Sequence, residues 1–301
     1  MSRSNRWAQA SGGVVTEETP AKGPQSSLLT RFGDLRARIR TSAALGVGAL
    51  ALLAIGGWVA ALLVAVLAGV MVAEYRSITA RGGGQLTWDD SPYIAGSAVG
   101  ILAEKAFGFF IGFDMLVLGI AVGAIIDLRK ERPDLAKWGA AGVGLIGLAA
   151  LAFLWLRLTD AYGVLAIVWV VLVVVAMDVG GYFSGRLIGG PKLWPSVSPN
   201  KTWAGLLGGV ALAMITGLIF SGLTTGTFYQ QVCAVSAAAA LCALVGDMAE
   251  SRVKRHFGVK DSSALLPGHG GALDRFDGLM AATLIVALVT LLRGQTVFIW
   301  S

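Results

Sequence analysis

The sequence of residues 163–185 is GVLAIVWVVLVVVAMDVGGYFSG, an apolar run that carries one charged side chain, Asp178. An α-helix rises 1.5 Å per residue, so a helix of this length crosses a hydrocarbon core of about 30 Å. The stretch therefore predicts a membrane-spanning helix.

The whole chain has the same character. It is 55% hydrophobic and only 14% charged, with a mean hydropathy of +0.72, whereas soluble domains are about a quarter charged. We therefore expect an all-α, polytopic integral membrane protein. The apolar runs predict nine membrane-spanning helices, at about 41–56, 57–76, 92–108, 110–127, 138–156, 163–185, 204–222, 229–246 and 277–293.

Gly56 and Gly57 separate the first two predicted spans. One continuous helix through both would reach about 54 Å, which is too long for a single span. We therefore predict a helical hairpin with its turn at these glycines.

Positive charges define the orientation of the predicted spans. With the N-terminus inside and the C-terminus outside, only Lys105, Arg157 and Arg293 among the lysines and arginines fall on the outer side. This distribution obeys the positive-inside rule at every connection. The net charge of +6 is explained by this topology, and we expect no nucleic-acid partner.

The chain divides into three predicted regions. Residues 1–40 show no signal peptide, and their Ser, Gly, Thr and Pro content indicates a disordered cytoplasmic tail. Residues 41–135 hold the N-terminal transmembrane helices, and residues 136–301 form the C-terminal catalytic region. Cys233 and Cys242 share one apolar run and indicate small buried side chains rather than a disulfide or metal site.

Two predicted inside segments, 185–205 and 246–277, are long and mix fixed charges with Gly and Pro. Long connecting segments of this kind usually carry function. In the second segment, a continuing helix places Asp247, Ser251, Lys254 and Arg255 on one face, with Glu250 three residues after Asp247. The alternative is a helix end whose Lys and Arg simply complement the dipole.

Residues 260–277, KDSSALLPGHGGALDRFD, contain a turn that cannot lie inside a helix. Its exposed amides suit the approach of an anion. Asp274 and Asp277 follow, three residues apart and beside Arg275. They could be dipole partners of the last helix, or they could join Asp247 in an oxygen site suited to Mg²⁺.

Other polar residues have two interpretations each. Asp178 within an apolar helix costs about 2.5–3.5 kcal/mol on insertion scales, which favours a functional site over a snorkelling acid at a helix end. Ser198, Lys201 and Thr202 suit phosphate binding or an ordinary helix start. His269 could be an acid/base catalyst or a turn donor.

Acids for a divalent metal and cations for phosphate, all on one membrane side, indicate phosphoryl or nucleotidyl transfer. The sequence contains no P-loop motif and no Cys–His metal constellation.

Residues 251–277 closely resemble the signature of the phosphatidate cytidylyltransferase (CDP-diacylglycerol synthase) family: S-x-x-K-R, four residues, K-D, then P-G-H-G-G and D-R-x-D, with every spacing kept. Gly246-Asp247, Glu250, Asp178, Tyr182, Gly185 and residues 198–202 fit the family too, and the resemblance covers about residues 40–295. Ala204 departs from it where a Glu is frequent, and Ala272 where a larger aliphatic residue is usual.

The resemblance implies that CTP and phosphatidic acid react to CDP-diacylglycerol and pyrophosphate. It also implies Mg²⁺, with a possible second cation, held by Asp247, Asp274 and Asp277, which are catalytic together with Lys254 and Arg255. The expected substrate-binding residues are Ser198, Lys201, Thr202, Ser251, Lys260, His269, Gly270 and Arg275. Supporting roles are expected for Asp178, Asp261 and Glu250.

The implied setting is a bacterial-type inner membrane, with the lipid bilayer as a partner, the active site facing the cytoplasm and a homodimer as the expected assembly. A transporter would also explain Asp178 and the Gly-rich breaks, but the charged motifs cluster on one side. A CDP-alcohol phosphotransferase would need D-G-x-x-A-R, and here Ala282 follows Ala281.

Overall fold

The computed structural model describes residues 48–81, 85–159, 161–263 and 270–299. The predicted tail at 1–40 and His269 lie outside this range. Residues 48–55 are helical. The longer helices of the described chain are α1 Gly57–Arg81, α2 Ser91–Phe107, α3 Phe109–Arg129, α4 Pro133–Leu158, α5 Gly163–Leu187, α6 Trp203–Thr225, α7 Gln230–His256 and α8 Leu273–Arg293.

Seven of these helices, α1 and α3 to α8, are long and apolar enough to cross a membrane. Helix α2 has 17 residues and is shorter. Large apolar side chains such as Val66 and Leu207 are more than 60% exposed, which a bilayer would cover. The predicted all-α, multi-pass membrane architecture is thus confirmed, while the count of nine spans and the orientation stay predictions.

The helix is interrupted at Gly56-Gly57, the site of the predicted turn, while the predicted hairpin of two membrane spans stays a prediction. Both glycines have positive φ, +73° and +57°, a conformation that other residues rarely adopt. Arg157 of α4 donates to the carbonyls of Leu53 at 2.7 Å and Ala54 at 3.0 Å, which would otherwise end the helix without partners. The part of the first predicted span that precedes residue 48 lies outside the described chain.

Small residues let neighbouring helices approach closely. A Cβ added to Gly96 of α2 would lie 2.5 Å from the Cα of Gly119 in α3, and one added to Gly180 of α5 would lie 2.7 Å from the carbonyl oxygen of Gly208 in α6. Inside a bilayer, such close contacts supply much of the packing energy between helices.

A buried cation joins the N-terminal helices. Arg76 of α1 is fully buried and donates to Asp90 at 2.9 Å and to Asp127 of α3 at 3.1 Å. It also donates to the carbonyl of Leu135 in α4 at 3.3 Å. Removing one partner of a buried ion pair leaves an uncompensated charge, so Arg76 fixes these helices relative to one another.

A small hairpin departs from the all-α prediction. Strand β1, Lys192–Trp194, pairs antiparallel with β2, Ser198–Thr202, within the segment predicted as a loop. The strands are short and include Pro199, so they give no alternating pattern that sequence could reveal. Thr202 then caps α6, its hydroxyl accepting from the Gly205 amide at 3.0 Å.

Candidate active site

A cavity of about 560 Å³ lies where the C-terminal ends of α5 and α7 meet the N-terminal ends of α6 and α8. Helices that alternate in direction bring these four ends to the same side of the bundle. The charged side chains that line the cavity are Asp178, Lys201, Asp247, Lys254, Asp274, Arg275 and Asp277. The cavity also has apolar walls, which include Val174, Leu206 and Leu244.

Asp247 of α7 is the acid at the centre of this arrangement. It pairs with Lys201, which β2 delivers from the other side of the cavity, and accepts from the hydroxyl of Ser251 at 3.4 Å. Asp178 and Asp277 line the same cavity as Asp247. Three carboxylates thus face one space, and a cation placed there would relieve their mutual repulsion.

The contact between α7 and α8 brings Asp247 and Asp277 together. A Cβ added to Gly246 would lie 2.6 Å from the carbonyl oxygen of Asp277, so only glycine permits this approach. Asp277 Oδ1 also accepts from the amide of Gly278 at 2.6 Å.

Within the described residues, Asp274 accepts more hydrogen bonds than the other acids that line the cavity. Its oxygens accept from Lys254 Nζ at 2.7 Å, from the Ser262 amide at 3.0 and 3.1 Å, and from the Gly271 amide at 2.8 Å. Lys254 also pairs with Glu250 at 2.6 Å. A Cβ on Gly270, which has a φ of +79°, would lie 2.6 Å from Asp274 Oδ2.

The described acids of the cavity form no complete set of ligands for a divalent ion. Among the described residues, no three His, Cys, Asp or Glu side chains lie close enough together to hold a metal by themselves. Lysines stand against Asp247 and Asp274 instead. Mg²⁺, however, usually binds through one or two carboxylates together with substrate phosphates rather than through a complete protein cage. The carboxylates therefore fit a hard cation that arrives with a phosphate ligand.

The structure gathers many of the predicted residues and separates others. Asp178, Lys201, Thr202, Asp247, Lys254, Asp274, Arg275 and Asp277 line the cavity. Glu250 and Ser251 contact lining residues, and Gly270 lies against Asp274. The residues that do not line it are Ser198, Arg255, Lys260 and Asp261, of which the last three are exposed, and their predicted roles stay predictions.

Sequence reasoning missed Glu74 of α1. This carboxylate is 6% exposed and accepts hydrogen bonds from Ser262, Ser263, Ala272 and Leu273, which flank the cavity residues in the chain. An ionisable residue inside an apolar span is itself a signal of function, and that signal was present in the sequence.

Comparisons with known proteins agree on one family. The sequence model of the cytidylyltransferase family matches residues 36–292. A phosphatidate cytidylyltransferase of Brucella suis is 41% identical over 189 residues, which are 63% of this chain and 68% of the relative. Proteins of the same name from Bacillus subtilis, 39% identical over 46% of this chain and 54% of the relative, and Haemophilus influenzae, 43% identical over 40% and 44%, are also similar.

Proposed function

The chain belongs to the cytidylyltransferase family, and on this basis we propose that it is a CTP:phosphatidate cytidylyltransferase. It transfers CMP from CTP to phosphatidic acid and yields CDP-diacylglycerol and pyrophosphate. The relatives that are similar to it in sequence are named for this activity. The single observation that carries the proposal is the cavity in which acids and cations from four helix ends face one another.

The chemistry needs charge control more than a strong base. A phosphate monoester has a second pKa of about 6 and is largely dianionic at neutral pH. One of its oxygens attacks the α-phosphorus of CTP, a new P–O bond forms, and the bond to the β-phosphate oxygen breaks with release of pyrophosphate. Both reactants are anions, so their mutual repulsion must be lowered before they can meet.

Three cations of the cavity are placed for this task. Lys201, Lys254 and Arg275 line one space and would bind the phosphates of both substrates and the leaving pyrophosphate. The apolar walls of the cavity would contact the glycerol backbone and the first acyl carbons of phosphatidic acid, while the rest of the acyl tails stays in the bilayer. A cavity formed by the ends of α5, α6, α7 and α8 can therefore be open to water and to lipid at the same time.

We propose Mg²⁺ as the cofactor, with a second cation as a further possibility in the same cavity. Asp247 and Asp274, together with Asp277, would hold it jointly with phosphate oxygens of the substrate, because these acids form no metal cage by themselves. Asp178 and Glu250 would support this set. When bound, the ion supplies neutralisation of charge that develops on the α-phosphate and the leaving oxygens. The occupied oxygens of Asp274 would have to exchange Lys254 for the ion, whereas Asp247 and Asp277 face the cavity with fewer donors.

The same proposal extends to the cellular setting. The chain would span a bacterial-type inner membrane nine times, with its N-terminus and active site in the cytoplasm and its C-terminus outside. Residues 41–135 would form the N-terminal transmembrane helices, and residues 136–301 would form the catalytic region. The protein would form a homodimer.

Incorporation of label from CTP tests this function. Protein purified in detergent would be given α-³²P-labelled CTP, phosphatidic acid and Mg²⁺, with each component omitted in turn. We expect labelled CDP-diacylglycerol only when all three are present. Labelled lipid without phosphatidic acid, or no labelled lipid from protein that is folded and monodisperse in detergent, would contradict the proposal.

A further inference from the structure

Glu74 connects the N-terminal helices with the segment that leads into α8. Its Oε1 accepts from the Ser263 hydroxyl at 2.6 Å and from the Ala272 amide at 3.0 Å. Its Oε2 accepts from the Ser262 hydroxyl at 3.2 Å and from the Leu273 amide at 2.7 Å. One buried carboxylate therefore binds the chain both at 262–263 and at 272–273.

These contacts also complete the start of α8. Ala272 is the N-cap residue of this helix and has no side chain that could accept a hydrogen bond. Glu74 supplies the acceptor for two amides at the helix start, where negative charge is also favoured by the helix dipole. A carboxylate of another helix thus performs the capping that the local sequence lacks.

The same chain segments hold Asp274 in the cavity. Ser262 donates its hydroxyl to Glu74 and its amide to Asp274. The Gly271 amide donates to Asp274 at 2.8 Å, and a Cβ on Gly271 would lie 2.6 Å from Glu74 Oε1. Asp274 in turn pairs with Lys254. Glu74 itself is not among the residues that line the cavity.

We propose that Glu74 is a positioning residue for nucleotide transfer, which fixes Asp274 by holding both chain segments that support it, and fixes Lys254 through its ion pair with Asp274. The inference rests on the proposed function. It assigns to α1 a part in the active site that the sequence motif of α7 and α8 does not contain.

Glu74→Gln is the sharpest variant because each oxygen of Glu74 faces a backbone amide. The carboxamide of Gln must place its NH₂ group against the Ala272 or the Leu273 amide, whichever way it turns. We expect the KM for CTP to rise about tenfold, the size of effect that one lost charge-assisted hydrogen bond produces. Partial loss of folded protein would lower the apparent kcat alone and leave this KM unchanged.

Two further variants serve as a negative control and as a milder test of the same contact. Asp134→Asn removes an acid that is 87% exposed and that, in the part of the chain the structure describes, pairs only with Lys137 at the surface. This variant should keep both kinetic constants of the wild type. Ser263→Ala removes one donor to Glu74 and is milder, so it should raise the KM for CTP by about threefold even if Glu74→Gln proves unstable. A KM for CTP within twofold of wild type in folded Glu74→Gln protein, or in Ser263→Ala when that variant is unstable, would overturn the proposal.

Hydrogen exchange tests the positioning role without any assay of catalysis. In Glu74→Gln, or in Ser263→Ala if the first variant is unstable, the amides of Ala272 and Leu273 should exchange faster, followed by those of Ser262 and Gly271 that bind Asp274. Exchange that stays unchanged at all four amides, or rises equally throughout α8, would overturn the inference. If the wild type forms no CDP-lipid, the proposed function fails while this experiment still decides the role of Glu74.

Discussion

Lys201 and Asp247 show how the cavity balances its charge. The two side chains pair across the cavity and are 25% and 36% exposed, so the pair itself contributes little to stability. Under the proposed function its role would be placement, because Lys201 would exchange Asp247 for a phosphate oxygen when an anionic substrate enters. The carboxylate of Asp247 would then be available to the proposed cation.

Lys201→Met should therefore damage catalysis rather than folding. We expect kcat/KM for CTP to fall about 10- to 100-fold, because hydrogen bonds to charged groups are worth about 1.5–3 kcal/mol. Lys137→Met is the matched control, since Lys137 is 77% exposed and its one ion pair within the described residues is with Asp134. Initial rates at varied CTP would decide, and a value for Lys201→Met within twofold of the control would contradict the assigned role.

The positions of the motif residues between 247 and 277 could be predicted because their spacing indicates which side chains share one face of a helix. Asp247 and Lys254 occupy one face of a helix, and Asp274 and Asp277 stand at the start of the next, as helical periodicity requires. Glu74 could not be assigned in the same way. Its partners are 188 to 199 residues away in the chain, and only the packing of α1 beside α8 brings them together.

At the level of helices, the contact between α7 and α8 sets the geometry of the acids. Gly246 lies against the backbone of α8 next to Asp277, so the distance between the two helices at the cavity depends on the absence of a side chain. This close contact of α7 and α8 is what places Asp247 and Asp277 near each other. Under the proposed function, this helix contact would therefore affect catalysis as well as structure.

Gly246→Ala should separate these helices and lower activity. The new Cβ would lie 2.6 Å from the Asp277 carbonyl oxygen, and overpacking of this kind costs about 1–3 kcal/mol. We expect transfer of CMP to phosphatidate to fall about tenfold if about 1.4 kcal/mol of this cost appears in the transition state.

Gly144→Ala is the control for this substitution. Gly144 also lies in a membrane-spanning helix, but its added Cβ would meet only the Ile120 side chain at 3.7 Å, an ordinary contact. Both proteins would be assayed at equal amounts of folded, monodisperse protein. Equal activities of the two variants would refute the link between this helix contact and the acids.

Across the whole molecule, long apolar runs made the architecture predictable, whereas the hairpin of β1 and β2 was not. A membrane span needs about 20 apolar residues, and such a run is visible without knowledge of its neighbours. The strands have three and five residues and depend on the helices around them. No sequence pattern indicates that α1 and α8 meet, because that contact depends on how the helices pack together.

The predicted orientation can be tested by labelling single cysteines in intact cells. With Cys233 and Cys242 replaced, Thr227→Cys lies in the connection between α6 and α7 that is predicted outside. Asp134→Cys lies at the start of α4, predicted inside. A membrane-impermeant maleimide should label Thr227→Cys in intact cells and Asp134→Cys only after permeabilisation, and the reverse pattern would contradict N-in, C-out topology.

The most direct test of the central claim is the rate of CMP transfer from CTP to phosphatidate by Asp247→Asn and Asp274→Asn, measured at saturating Mg²⁺ beside wild type and Asp134→Asn. If acids from two helix ends act on one nucleotide, each of the two variants loses about a hundredfold or more in rate, while Asp134→Asn keeps wild-type turnover. Near-normal transfer by either cavity variant, in protein that is folded in detergent, would contradict this account.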